Sequence, residues 1–323
     1  MQESTPENTL EFLERNPLLS KIVFLIAVLL CLSPLLTPPT ALLLGLILAQ
    51  TTGHPYRQYN HKATQILLQF SVVGLGFGMN CITAIHTGKE GVLFSAVSIL
   101  VTLLLGHFIG KLLKIESKTS HLISSGTAIC GGSAIAAISK VLNSEEKQTS
   151  VALGTVFILN SIALFIFPGI GHALNMTQHQ FGIWSAIAIH DTSSVVGAAS
   201  KYGLEALQVA TTVKLVRALW IVPLAIATSI VFCKRPAKIR IPYFIIYFVI
   251  AMVAGTYISF LSPVIPYITL AAKKGLTLTL FLIGAGSSYK MLKSVGYKPL
   301  LQGVILWIFI SLAALGAVES FLK

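Results

Sequence analysis

Gly126-Thr127-Ala128-Ile129-Cys130-Gly131-Gly132-Ser133-Ala134-Ile135-Ala136-Ala137 lies inside an apolar run long enough to cross a membrane, with two adjacent glycines near its middle. Each glycine in a helix interior costs about 1 kcal/mol relative to alanine. Two in succession permit a break at membrane depth, and the freed N–H groups of the helix that restarts there can hold an anion. Cys130, Gly131 and Gly132 would form that break, with the hydroxyls of Thr127 and Ser133 as further donors. The same composition also suits a seam of small residues where two helices pack closely.

The surrounding chain fits a lipid solvent. Of its 323 residues 54% are hydrophobic and 11% charged, and the mean hydropathy is +0.82. A soluble domain carries about a quarter of its residues as charges. Lipid instead requires apolar exteriors and backbone groups satisfied within helices. The net charge of +12 is dispersed in short clusters between apolar runs, which fits membrane topology and argues against a nucleic-acid partner. Cys31, Cys81, Cys130 and Cys233 match no metal or redox spacing. The N-terminal stretch is acidic, with Glu3, Glu7, Glu11 and Glu14 against Arg15, so it lacks the basic start of a secretory signal.

Spans need roughly 20 apolar residues each. Runs of that kind centre on Leu29, Phe70, Leu100, Ala134, Leu159, Ile189, Leu219, Ile250, Leu280 and Ile310, and a shorter one covers Ala41–Ala49. Basic connections occur at Arg57/Lys62, Lys111/Lys114/Lys118, Lys234/Arg235/Lys238/Arg240 and Lys290/Lys293/Lys298. The alternate connections, near Lys89-Glu90, Glu145-Glu146-Lys147 and Lys201-Glu205, are close to neutral. Positive loops stay on the cytoplasmic side, which puts the C-terminus outside. Eleven spans would leave the N-terminus inside, and ten would leave it outside.

Asp191 is the sole aspartate and lies within an apolar run, beside His190 and ahead of Thr192, Ser193 and Ser194. Ionisable groups in a membrane are costly and face a bundle interior or a wet cavity. Lys214 and Arg217 share one helical face in the next run, at a depth similar to Asp191. An Asp191–Lys214 or Asp191–Arg217 ion pair is expected, because an unpaired buried charge costs several kcal/mol. Two cations against one carboxylate leave surplus positive charge suited to an oxyanion. His190 offers a route for proton coupling, although a lone histidine in a helix is more often a satisfied hydrogen-bonding residue. The segment Ala188–Gly197 also echoes Ala128–Ala137, but the loop charges run both in the same direction, which an inverted repeat forbids, so either one is a re-entrant hairpin or the echo is shared small-residue composition.

Catalysis is not expected: the carboxylates are too few and scattered for an acid–base pair, and neither HExxH nor a Walker A motif occurs.

Gly126–Ala137 (GTAICGGSAIAA), Ala188–Ala199 (AIHDTSSVVGAA) and Lys214-Leu215-Val216-Arg217 resemble the YeiH-like family of bacterial inner-membrane proteins, whose members are described as uncharacterised or as sulfate exporters. The resemblance covers most of the chain from Tyr59 onward. At a greater distance it is similar to bile-acid-type and sodium/proton-exchanger-like transporters. It implies two helical bundles, inverted repeats of five helices, and discontinuous helices that cross at midplane. Gly131, Gly132 and Ser133 would then lie near the crossing, with His190, Asp191 and Thr192 facing it. Ser194 stands where that family more usually has an amide.

The expected protein is an all-α polytopic membrane protein of about 10–11 transmembrane helices. An acidic segment (1–17) precedes one transmembrane domain (18–323), with breaks near 126–137 and 188–199. The expected function is secondary transport of sulfate or a related oxyanion or sulfonate by alternating access. Substrate-binding residues would be Thr127, Cys130, Gly131, Gly132, Ser133, His190, Asp191, Thr192, Ser193, Lys214 and Arg217. Alternatives are a cation/proton exchanger that uses Asp191 and a non-transporting membrane sensor or assembly subunit. Expected partners are the anion, a coupling proton or sodium ion, the lipid bilayer and a second copy in a homodimer, with no cofactor, metal or nucleic acid.

Overall fold

The computed structural model describes residues 17–33, 35–51, 55–233, 243–286 and 295–321. The acidic segment up to residue 16 and the basic residues Lys234, Arg235, Lys238, Arg240, Lys290 and Lys293 lie outside the described residues.

Among the described residues every regular element is helical. In chain order these are α1 (Pro17–Leu32), α2 (Pro38–Thr51), α3 (Arg57–Gly76), α4 (Cys81–Leu112), α5 (Ser117–Ala128), α6 (Gly132–Leu142) and α7 (Glu146–Ala173). There follow α8 (Gln178–Ala188), α9 (Thr192–Tyr202), α10 (Leu204–Ala218), α11 (Ile221–Thr228), α12 (Tyr243–Tyr257), α13 (Ile265–Gly286) and α14 (Tyr297–Phe321). Among the described residues, five stretches are long and apolar enough to cross a membrane: Ser95–Leu112, Glu146–Ala173, Leu204–Phe232, Ile265–Gly286 and Tyr297–Ser320. Two of the runs read from sequence, those around Ala134 and Ile189, are each divided into two half-helices. The halves α5 and α6 have 12 and 11 residues, so each reaches about half the hydrocarbon core at 1.5 Å per residue. The chain is an all-helical, polytopic membrane protein.

Local sequence accounts for the boundaries. α7 starts on a capping box between Glu145 and Gln148, and α8 on a second between Thr177 and Gln180. Asn143 ends α6 in the left-handed conformation at φ 45°, which asparagine tolerates better than most residues. Pro223 lacks an N–H to continue the ladder, and α10 gives way to α11 at Leu219-Trp220. One boundary differs from expectation. The backbone is helical through Lys89-Glu90, and the connection is at Phe77–Asn80. The sequence Gly76-Phe77-Gly78-Met79-Asn80 has turn composition, whereas a Lys-Glu pair is compatible with a 32-residue helix that extends past the apolar Ser95–Leu112 stretch.

The helices group into two compact units, one of Met1–Gly78 with Phe248–Tyr289 and the other of Met79–Tyr247 with Lys290–Lys323. In the first unit α13 packs against α2 and α3 at backbone distance. A Cβ at Gly45 would lie 2.7 Å from the Ala285 nitrogen, and one at Gly284 would lie 2.9 Å from the Leu46 nitrogen. Lys274 of α13 donates to the Ser33 carbonyl at the end of α1. In the second unit Gln302 of α14 reaches the Gly106 carbonyl of α4 at 3.0 Å and the Ser120 hydroxyl of α5 at 2.8 Å. Trp184 of α8 stacks on Phe167 of α7 and donates to the Ser311 carbonyl of α14 at 2.9 Å. These contacts link the long helices to the half-helices inside one unit.

Candidate functional site

The two half-helix pairs break at Ile129–Gly131 and at Ile189–Asp191, and the breaks touch. Gly131 has φ 62° and ψ −123°, a conformation that side chains strongly disfavour. It packs so closely that a Cβ there would lie 3.2 Å from the Asp191 Cα. Asn160 of α7 ties down the second break: its Oδ1 accepts from the backbone N–H groups of His190 at 3.0 Å and Asp191 at 3.2 Å. Asp191 is the N-cap of α9, and its Oδ2 accepts from the Ser193 N–H at 3.0 Å, the Ser194 N–H at 3.4 Å and the Ser193 hydroxyl. The sequence Asp-Thr-Ser-Ser thus behaves as a helix start. No side chain caps the start of α6.

Breaking a helix also frees carbonyls at the end of the half that stops. The two buried cations of α10 supply donors there. Lys214 donates to the carbonyls of Ala186 at 3.2 Å and Ile189 at 2.7 Å, at the end of α8. Arg217 donates to the Ala128 carbonyl at 2.5 Å, at the end of α5, and to the Ser98 hydroxyl at 2.9 Å. Both side chains are fully buried. A cation at a helix C-terminus offsets roughly half a negative charge of the helix dipole. The expected Asp191–Lys214 or Asp191–Arg217 ion pair is therefore not formed. The carbonyls exposed by the breaks lie within reach of both cations and take their hydrogen bonds.

Among the described residues, several polar atoms around the contact have no hydrogen-bond partner. Thr127 Oγ1, Asn160 Nδ2, both ring nitrogens of His190 and Arg217 Nε are buried without a hydrogen-bond partner. Their positions are linked by the bonds already given: Asn160 holds His190, Lys214 holds Ile189 next to His190, and Arg217 holds Ala128 next to Thr127. Buried polar atoms are nearly always satisfied, and each unsatisfied one costs about 1–3 kcal/mol. These atoms belong to residues that the bonds above bring to the contact of the two breaks. The amide N–H groups of Asn160 and the Arg217 Nε are donors only, whereas the Thr127 hydroxyl and the His190 ring can act in either sense. Donors therefore outnumber acceptors.

Most of the residues expected from sequence belong to this arrangement. Cys130 is buried inside the first break, Gly131 and Gly132 carry the chain out of it, and Thr192 and Ser193 are buried at the start of α9. Ser133 is exposed and not enclosed with the others. Asn160 and Ser98 were not expected. Asn160 is the sole amide side chain between Val151 and Gly169, and an isolated amide in so apolar a run is the signal that marks it. Ser98 carries no such signal.

The chain matches, over residues 18–303, the family described as conserved hypothetical protein 698. It is 60% identical to a UPF0324 membrane protein of Bacteroides thetaiotaomicron, over 86% of this chain and 85% of that one. A UPF0324 membrane protein of Porphyromonas gingivalis is 54% identical over 87% and 86%, and one of Photobacterium profundum is 49% identical over 97% and 96%. Among solved structures, the sodium proton antiporter MjNhaP1 of Methanocaldococcus jannaschii aligns with 97% of this chain and 96% of that one, at 18% identity. Its TM-score of 0.25 is too low to carry any argument.

Proposed function

The chain belongs to the conserved hypothetical protein 698 family, and for this member we propose secondary transport of a small anion, bound where the two broken helices touch and carried by alternating access. One observation carries the reading: a buried, donor-rich set of unpaired groups, Asn160 Nδ2, Arg217 Nε, Thr127 Oγ1 and the His190 ring, at the contact of Gly131 with Asp191. The uncapped start of α6 adds N–H groups of the right polarity. Helix breaks at the midplane are where carriers hold their substrates. The candidate substrates are small oxyanions and sulfonates, sulfate among them, with a proton or sodium ion as coupling partner. The spacing of basic loops supports a bacterial inner-membrane orientation with the C-terminus outside.

Exchange of a cation at Asp191 has less support. The Oδ2 of that carboxylate already accepts from two backbone amides and a hydroxyl as the α9 cap, and two fully buried cations lie in the same cluster.

Asn160→Asp separates the two jobs of Asn160. The variant keeps an acceptor for the His190 and Asp191 amides, removes the Nδ2 donor and adds a negative charge. Proteoliposomes of the wild-type protein are expected to accumulate a labelled small anion saturably, and those of Asn160→Asp to lose that uptake while remaining folded. An absence of uptake, together with no thermal stabilisation by any small anion, would defeat the proposal. A specific ligand at a hundred times its Kd should add about 2.7 kcal/mol of stability.

A further inference from the structure

We infer that the ligand of the crossing is a monoanion, a singly charged oxyanion or sulfonate, and that dianions such as sulfate are disfavoured there. The inference rests on the anion reading above and narrows it. Asp191, Lys214, Arg217, His190 and Cys130 are the titratable groups in the cluster, and all five are buried. The thiol and the imidazole add no formal charge. Counted at their formal charges, Asp191 contributes one negative and Lys214 and Arg217 two positive, a surplus of one.

That surplus sets the charge of the ligand. In a low-dielectric interior an uncompensated charge is expensive, and a pair is tolerated only when the charges balance and the remaining hydrogen bonds are made. One negative charge brings the cluster to neutrality, whereas two leave it negative and buried. Hydrogen bonding points the same way. Lys214 directs its bonds to the Ala186 and Ile189 carbonyls, and the Arg217 terminal nitrogens point to Ala128 and Ser98. Among the described residues the atoms here with no partner are Arg217 Nε, Asn160 Nδ2, Thr127 Oγ1 and the two His190 ring nitrogens. Such a set of mostly neutral donors suits a few oxygens that share one charge.

Two nearly isosteric tetrahedral probes isolate charge from shape: methanesulfonate, a monoanion, and sulfate, a dianion. Their affinities for the purified full-length protein are measured at one pH and constant ionic strength by isothermal titration calorimetry. Wild type is expected to bind methanesulfonate at least about tenfold more tightly than sulfate, which corresponds to about 1.4 kcal/mol. Asp191→Asn retains a capping side chain for α9 and raises the surplus to two positive charges, so the preference is expected to move toward sulfate. Sulfate binding wild type as well as or better than methanesulfonate overturns the inference while leaving anion transport intact. A folded Asp191→Asn variant with an unchanged preference overturns charge balance as its cause. Should Asp191→Asn fail to fold, Asn160→Asp, which cancels the surplus, is expected to weaken methanesulfonate binding at least about tenfold; undiminished affinity would overturn the inference. No binding of either probe to wild type defeats the anion reading itself.

Discussion

At the scale of single residues the crossing depends most on Gly131. Its φ of 62° and its 3.2 Å approach to the Asp191 Cα each argue against a side chain. Backbone strain of this kind costs of order 1–3 kcal/mol, and the steric term adds to it. Gly131→Ala is expected to lower the melting temperature and to abolish anion-dependent stabilisation, because any relief of the clash must move one break away from the other. Gly132→Ala is the comparison, since a Cβ there would meet side chains alone, the Phe157 ring edge at 3.3 Å and Leu153 Cδ2 at 3.6 Å, and the backbone there is not left-handed. Equal losses from both variants in a thermal-shift titration would refute a special role for Gly131. Gly131 was legible beforehand, because adjacent glycines in an apolar run have few structural explanations. The partners of Lys214 and Arg217 were not. Sequence shows which side chains are charged, but carbonyl acceptors are invisible in it until the backbone is known to break.

At the scale of elements, each half-helix that stops at a break is closed by its own cation from α10. Lys214 serves α8 and Arg217 serves α5. Their three-residue spacing on one helix therefore matches two separate carbonyl ends. Lys214→Met keeps the length and removes the donor, leaving the Ala186 and Ile189 carbonyls unpaired at a cost of about 1–3 kcal/mol for each. Hydrogen exchange is expected to speed up selectively near the end of α8 in Lys214→Met, and near the end of α5 in Arg217→Met. Identical exchange patterns in the two variants would show that the cations do not divide the work in this way. The first break is legible in Gly131-Gly132, whereas the capping role of Asp191 at the second shows only once the backbone is seen to break there. That the breaks touch could not be read in advance, because contact between segments 60 residues apart is set by packing of α7, α8 and α10. The same holds for Asn160, whose partners His190 and Asp191 are 30 and 31 residues away.

At the scale of the whole molecule, every group assigned to the anion lies in the unit of Met79–Tyr247 and Lys290–Lys323. The other unit is held by a different device, the backbone-to-backbone seam of α2 and α13 at Gly45 and Gly284. That division makes stability and binding separable. Gly284→Val would force a side chain into the Leu42–Leu46 backbone, where even a Cβ lies 2.9 Å from the Leu46 nitrogen. Overpacking of this kind costs about 1–3 kcal/mol or more, so the melting temperature is expected to fall. Gly284 belongs to the other unit, so the Kd for a bound anion is expected to stay within about twofold of wild type. Calorimetry on the folded variant, with far-UV circular dichroism to establish that it is folded, makes the comparison. A tenfold loss of affinity with helicity retained would mean that binding draws on residues beyond the cluster around Gly131 and Asp191, and the site would have to be redrawn to include them.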